Sequence, residues 1–260
     1  MNLNSFNLAG KVAVVTGCNA GLGQAMATAL AECGADIVGI NRSAPVETAE
    51  RVQAAGRGFI DLRADLGRDA DAGALMNEAA AWQGHIDVLV NNAGIIRRED
   101  AINFSEADWD AVMHVNLKSV FFLAQAAARH FIVQGRGGKI INVASMLSFQ
   151  GGVRVASYTA SKSGVLGLTR LLANEWASKG INVNAIAPGY MATQNTEALR
   201  NDAERNAAIV ARIPAGRWGD PADVGGPVVF LASEASSYLH GHTLAVDGGC
   251  LLPELHDCLD

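Results

Sequence analysis

Tyr158 and Lys162 are four residues apart, a spacing that on a helix puts both side chains on one face, one turn from each other. An ammonium beside a phenol favours phenolate, and a fixed positive charge nearby adds to the effect. A free tyrosine titrates near pH ~10, so bringing it to about 7 takes roughly 4 kcal/mol of differential stabilisation. A phenol poised in that way can take a proton from an alcohol that is losing a hydride, or return one to a developing alkoxide. The bare pair is also an ordinary helical pair, so its surroundings decide. Ser145 lies upstream, directly after the apolar run Lys139-Ile-Ile-Asn-Val-Ala144, which follows Gly137-Gly138 and predicts a buried strand. Ser145 therefore falls at the carboxyl end of a strand, where open α/β sheets hold their ligands. The Leu-, Ala- and Lys-containing stretch 160–176 predicts the helix behind it.

Elements earlier in the chain must position this group. Lys11-Val-Ala-Val-Val-Thr16 predicts a buried strand that runs into Gly17-Cys-Asn-Ala-Gly21-Leu-Gly23 and then into an alanine-rich helix over 24–33. Strand, glycine loop and helix together let backbone N–H groups approach a pyrophosphate at a helix start. The second strand, 36–40, ends at Asn41-Arg42, beside the expected adenosine ribose. An acidic side chain there would select a free 2′-hydroxyl, whereas Arg42 suits a 2′-phosphate. A helix over 46–55, a strand over 58–62 with Asp65-Leu66 at its end, a helix over 70–82 and a strand over 86–90 follow. Asn91-Asn92-Ala93-Gly94 closes that strand. The long helical stretch after Glu106 carries Asn116 in its middle, a poor interior helix residue that implies a specific hydrogen bond or a function. A strand over 181–187 breaks at Pro188-Gly189, and the polar, partly helical segment 190–218 is long enough to be a lid. A helix over 221–232 and a strand over 243–246 end the pattern. With no linker, repeat or break in composition, this predicts one α/β domain across 1–260, built on a doubly wound parallel sheet.

Half of the 260 residues are hydrophobic and 18% are charged, a globular composition. A net charge of -6 and a pI near 5.5 lack the basic excess of a nucleic-acid binder. No uninterrupted apolar stretch approaches the ~20 residues of a membrane helix, and the first residues do not form a secretory signal. The four cysteines fit neither a zinc pattern nor a disulfide scaffold. His240 and His242 have no acidic or thiol partners nearby in sequence, so no metal is expected. A cytoplasmic protein is expected, with no nucleic-acid or membrane partner.

Taken in order, Thr16-Gly-x-x-x-Gly-x-Gly23, Asp65, Asn91-Asn-Ala-Gly94, Asn116, Ser145, Tyr158-x-x-x-Lys162 and Pro188-Gly189 resemble the short-chain dehydrogenase/reductase family, over about residues 8–249. The resemblance implies a seven-stranded Rossmann-like sheet with helices on both faces. It gives Tyr158 the acid/base role, with Lys162 lowering its pKa and holding the nicotinamide ribose. Ser145 would bind the substrate oxygen, and Asn116 would support a water-linked proton path. Cofactor contacts would come from Gly17, Asn19, Gly21, Leu22 and Gly23, from Asn41 and Arg42, and from Asp65 and Leu66. Asn92, Ala93, Gly94, Pro188, Gly189, Met191 and Thr193 would complete them.

A narrower likeness, in stretches 92–100, 144–152 and 187–193, is to family members that act on deoxy keto-sugar acids. Their carboxylate calls for a guanidinium. Arg154, four residues before Tyr158, is the first candidate, ahead of Arg97 and Arg98; Gln150 and Tyr190 join Ser145 around the substrate. That group is generally NAD-linked, and Ala20 lacks a polar phosphate contact, so NAD is expected, with NADP left open by Arg42. Related enzymes imply a homotetramer. Two other readings are a 3-oxoacyl-acyl-carrier-protein reductase, which would favour a basic docking face, and a catalytically silent NAD(P) sensor, against which the complete Asn116, Ser145, Tyr158 and Lys162 set argues. The tail 250–260 runs past the usual family ending.

Overall fold

Strands covered on both faces must be apolar on both, and β1 (Val12–Thr16) is buried at every position. Its side chains alternate between two cores, as the period of two requires: Val12 and Val14 join one, Ala13 and Val15 the other. The computed structural model describes residues 3–68 and 70–252. In order follow α1 (Gly21–Glu32), β2 (Asp36–Asn41), α2 (Val46–Ala54), β3 (Phe59–Arg63), α3 (Ala72–Gln83) and β4 (Val88–Asn91). Next come α4 (Glu106–Met113), α5 (Ser119–Gln134), β5 (Gly138–Val143), the one-turn α6 (Leu147–Gln150), α7 (Ala156–Trp176) and β6 (Ile181–Pro188). Then α8 (Glu197–Asn201), α9 (Ala203–Val210), α10 (Gly225–Ala232) and β7 (Thr243–Val246). The seven strands form one sheet in the order β3-β2-β1-β4-β5-β6-β7, and every pair is parallel. The winding reverses between β1 and β4, so the crevice lies at their carboxyl ends.

Residues of α3, α5 and α7 cover one face, through Met76, Phe131 and Leu172. Residues of α1, α2 and α10 cover the other, through Met26, Val52 and Val228. By length and composition alone the stretch Glu106–Gln134 could cross a membrane. Its Leu123, Ala127 and Phe131 are nevertheless part of the first core.

Two differences from the sequence expectation bear on the site. The expected single helix through Asn116 is split by a π-turn, His114–Lys118, between α4 and α5. Such wide turns recur at functional positions, and this one holds the Asn116 amide on the backbone of Ile95. The helix expected to start at 160 begins at Ala156, which puts Tyr158 in its first turn. Of the tail, residues 253–260, with Cys258, lie outside the described residues.

Candidate active site

The glycine loop is fastened from both sides. Thr16 Oγ1 accepts hydrogen bonds from the Asn92 and Ala93 backbone N–H groups at 3.0 and 2.9 Å. Asn92 Nδ2 donates back to the carbonyls of Thr16 and Gly17 at 2.9 and 3.0 Å. A Cβ on Gly23 would sit 2.2 Å from the Gly17 carbonyl oxygen and 2.4 Å from Asn92 Nδ2, so no larger residue fits. The residue before α1, Ala20, offers no side-chain acceptor to the first turn, which leaves those N–H groups for an anion. Thr193 arrives from the loop after β6 and lies against Gly21, its methyl 3.6 Å from where a Cβ would be. Gly94 faces Asn116 and Lys162, at 3.3 and 3.7 Å by the same measure. Gly17 thus lies against Ala93, Gly21 against Thr193, and Gly94 against Asn116 and Lys162. These residues and the uncapped first turn of α1 fit a dinucleotide, whose pyrophosphate the free N–H groups there would hold.

At the adenosine end the expectation needs correcting. Asn41 is buried, 1% exposed, and its Nδ2 donates to Asp61 Oδ1 at 2.8 Å and to Cys18 Sγ at 3.4 Å. Strand alternation puts it on the same side as Gly39, whose missing side chain makes the room. Asn41 therefore does not face a ribose. Arg42 and Ser43 are exposed, and Asn19 Nδ2 reaches Ser43 Oγ at 3.0 Å. Asp65 and Leu66 follow β3 as expected, Asp65 turning back to accept from the Gly67 N–H. Asp61 and Cys18 escaped the sequence reading; the alternation in Phe59-Ile-Asp-Leu-Arg63 was the available signal for Asp61.

The four candidate catalytic side chains converge at the carboxyl edge of β4 and β5. Ser145 lies close enough to the Tyr158 phenol to act on its pKa, and its Oγ accepts from the Leu147 N–H. Lys162 Nζ donates to the Val143 carbonyl at 2.6 Å and lies 5.8 Å from the Tyr158 ring centre. Asn116 Oδ1 accepts from the Ile95 N–H, while Nδ2 donates to the Ile95 carbonyl and to Ser161 Oγ. Burial holds the Tyr158 pKa above its ordinary value, opposed by the Ser145 hydroxyl and the charge of Arg98. Burial also takes Lys162 down to about 8. At that value the Lys162 ammonium is still mostly charged near neutral pH, 5.8 Å from the phenol ring, and Arg98 is a further cation that acts to lower the Tyr158 pKa.

Around the substrate side, the Arg154 guanidinium is already paired within the chain. Its Nε pairs with Asp100 at 3.0 Å and its Nη2 approaches Glu99 at 3.7 Å, which occupies the guanidinium that was to meet a carboxylate. Arg97 is paired with Asp108. Arg98, the third candidate in the sequence, has no ion-pair partner among the described residues. Gln150 donates its amide to the Cys250 carbonyl at 2.8 Å, bracing the C-terminal segment. Tyr190 stacks edge-on to Trp218 with ring centres 5.5 Å apart, which ties the two ends of segment 190–218. Pro188 and Met191 are buried, and Gly189 packs so closely on Asp247 that a Cβ would meet its Cα at 2.6 Å. Among the described residues no cluster of His, Cys, Asp or Glu could hold a metal ion.

The family profile described as enoyl-(acyl carrier protein) reductase matches residues 17–250. The 2-dehydro-3-deoxy-D-gluconate 5-dehydrogenase of Escherichia coli (strain K12) is 67% identical over 251 residues, 96% of this chain and 99% of that one. The chain belongs to the short-chain dehydrogenase/reductase family. Two solved structures place this short-chain dehydrogenase/reductase among similar folds. One, from Agrobacterium tumefaciens and assigned as a 2-deoxy-D-gluconate 3-dehydrogenase with bound NADP, is 56% identical with a TM-score of 0.91, covering 96% of this chain and 100% of that one. The other, a gluconate 5-dehydrogenase from Burkholderia cenocepacia J2315 in complex with NADP and tartrate, is 41% identical, TM-score 0.91, covering 98% and 100%.

Proposed function

We propose that this protein transfers a hydride between a nicotinamide cofactor and a keto or hydroxy carbon of a deoxy sugar acid of the 2-dehydro-3-deoxy-D-gluconate type. The observation that carries the reading is the meeting of Ser145, Tyr158, Lys162 and Asn116 beside the uncapped start of α1. The sugar-acid names of the relatives support the substrate class. The bound nicotinamide supplies or accepts the hydride. Tyr158 exchanges the proton at the substrate oxygen, and Ser145 holds that oxygen by a hydrogen bond that strengthens as charge develops. Lys162, together with Asn116, relays the proton onward through water and holds the nicotinamide ribose. Arg98, the unpaired guanidinium whose charge reaches Tyr158, takes the substrate carboxylate in the place first given to Arg154. Segment 190–218 closes over the bound substrate.

The exposed Arg42 beside Asn19 and Ser43, and the turning inward of Asn41, support use of NADP as well as NAD. The test is a set of initial rates with NADH and NADPH across keto-deoxy sugar acids and a β-ketoacyl thioester. Faster turnover of the thioester would replace this reading with the acyl-carrier reductase.

Assembly as a homotetramer belongs to the same reading. Trp109, Phe122 and Leu171 are 39%, 44% and 47% exposed along α4, α5 and α7, and Phe122 shares a surface hollow with the small Gly164 and Gly167. Such a surface suits a two-fold helix pairing, and the edge strand β7 offers a second face. Sedimentation as a monomer at working concentration would defeat it.

A further inference from the structure

Segment 95–100 follows Gly94, which lies beside Asn116 and Lys162, and it is pinned at three points. Ile95 is held through both backbone groups by Asn116. Arg97 is held by Asp108. Glu99 and Asp100 are held by Arg154: Asp100 Oδ1 lies 3.0 Å from its Nε, Glu99 Oε1 lies 3.7 Å from its Nη2, and the Glu99 N–H donates to the Arg154 carbonyl at 3.0 Å. Arg98 sits between these anchors with no anion of its own among the described residues.

Arg154 is also the one non-glycine residue with a left-handed backbone among the described residues, at φ 63. That conformation disfavours a side chain with a Cβ, and strain of this kind persists where surrounding contacts impose it. It sits just ahead of α7, whose first turn carries Tyr158. A bare cation there would oppose the helix dipole, and the two carboxylates of segment 95–100 neutralise it.

We propose that Arg154 is a positioning residue: its strained backbone and its pairing with Glu99 and Asp100 strap the Arg98 loop to the start of the catalytic helix and so set the substrate carboxylate at a fixed distance from Tyr158. The proposal rests on the reading of Arg98 as the carboxylate holder. Arg154 itself touches no substrate.

The test compares a keto-deoxy sugar acid with its carboxamide, which keeps the shape and loses the charge. Arg154→Gly, which tolerates the backbone, raises KM for the acid about tenfold, with kcat for the acid and use of the amide held within about twofold. Asp100→Asn acts in the same direction, and the swapped pair Arg154→Asp with Asp100→Arg recovers part of the loss. In an Arg98→Ala background, Arg154→Gly changes the acid-to-amide ratio no further. Equal losses on acid and amide, or losses that add to those of Arg98→Ala, overturn the proposal. If Arg98→Ala alone leaves the acid-to-amide ratio unchanged, the sugar-acid reading fails instead. Should Arg154→Gly not fold, Asp100→Asn and the swapped pair carry the same comparison.

Discussion

The two halves of the site are held by different means. The cofactor half is fastened by side chain-to-backbone hydrogen bonds from buried Thr16 and half-buried Asn92, which join β1 to the end of β4. The substrate half is held by half-exposed ion pairs and a ring contact, through Arg154, Arg97 and the Tyr190–Trp218 stack. A buried donor left without a partner costs about 1–3 kcal/mol, whereas an exposed ion pair contributes about 0–1 kcal/mol. One half is therefore built for constancy. The other is adjustable at little cost to the fold, as a family that keeps its cofactor and varies its substrate requires.

Substitutions in each half should separate the two. The largest effect is expected from Gly23→Ala, because the new Cβ would lie 2.2 Å from the Gly17 carbonyl oxygen. It should remove cofactor binding or more than about 3 kcal/mol of stability, read by cofactor titration and thermal unfolding. Next, Arg98→Ala should raise KM for the sugar acid about ten- to a hundredfold with melting temperature unchanged, read by steady-state kinetics. Thr16→Ala leaves two backbone N–H groups without their acceptor and should cost about 1–3 kcal/mol in denaturant unfolding, with cofactor affinity falling alongside. A substrate-half variant that costs as much stability as Thr16→Ala would erase the contrast.

A separate effect concerns pH. Lys162 titrates at about 8 in the folded chain against 10.5 for a free lysine. Between those values the folded chain binds fewer protons than the unfolded one, so stability rises with pH across that window. Tyr158, whose pKa is raised, acts in the opposite sense above 10, where the unfolded chain loses its proton first. Lys162→Met should flatten the rise between pH 8 and 10, measured by denaturant midpoints at stepped pH.

The same contrast governs what could be read from the chain. Strand, glycine loop and helix are local in sequence, and their geometry follows from residues a few positions apart. The parallel sheet, its strands and the convergence on Tyr158 were therefore legible. The inward turn of Asn41 is not local: its partners, Cys18 and Asp61, become neighbours only when β2 pairs with β1 and with β3. The pairing of Arg154 is non-local for the same reason: Glu99 and Asp100 stand more than fifty positions earlier. The π-turn at Asn116 has no local signature beyond the poor helix propensity of asparagine itself.

The central claim, that the phenol of Tyr158 exchanges the proton while the glycine loop independently holds the cofactor, is tested most directly by Tyr158→Phe. Cofactor affinity by fluorescence titration and turnover of the sugar acid would be measured on the same preparation. The account predicts a Kd within about twofold of the parent and a turnover lowered by about 10² or more. Near-normal turnover would contradict it.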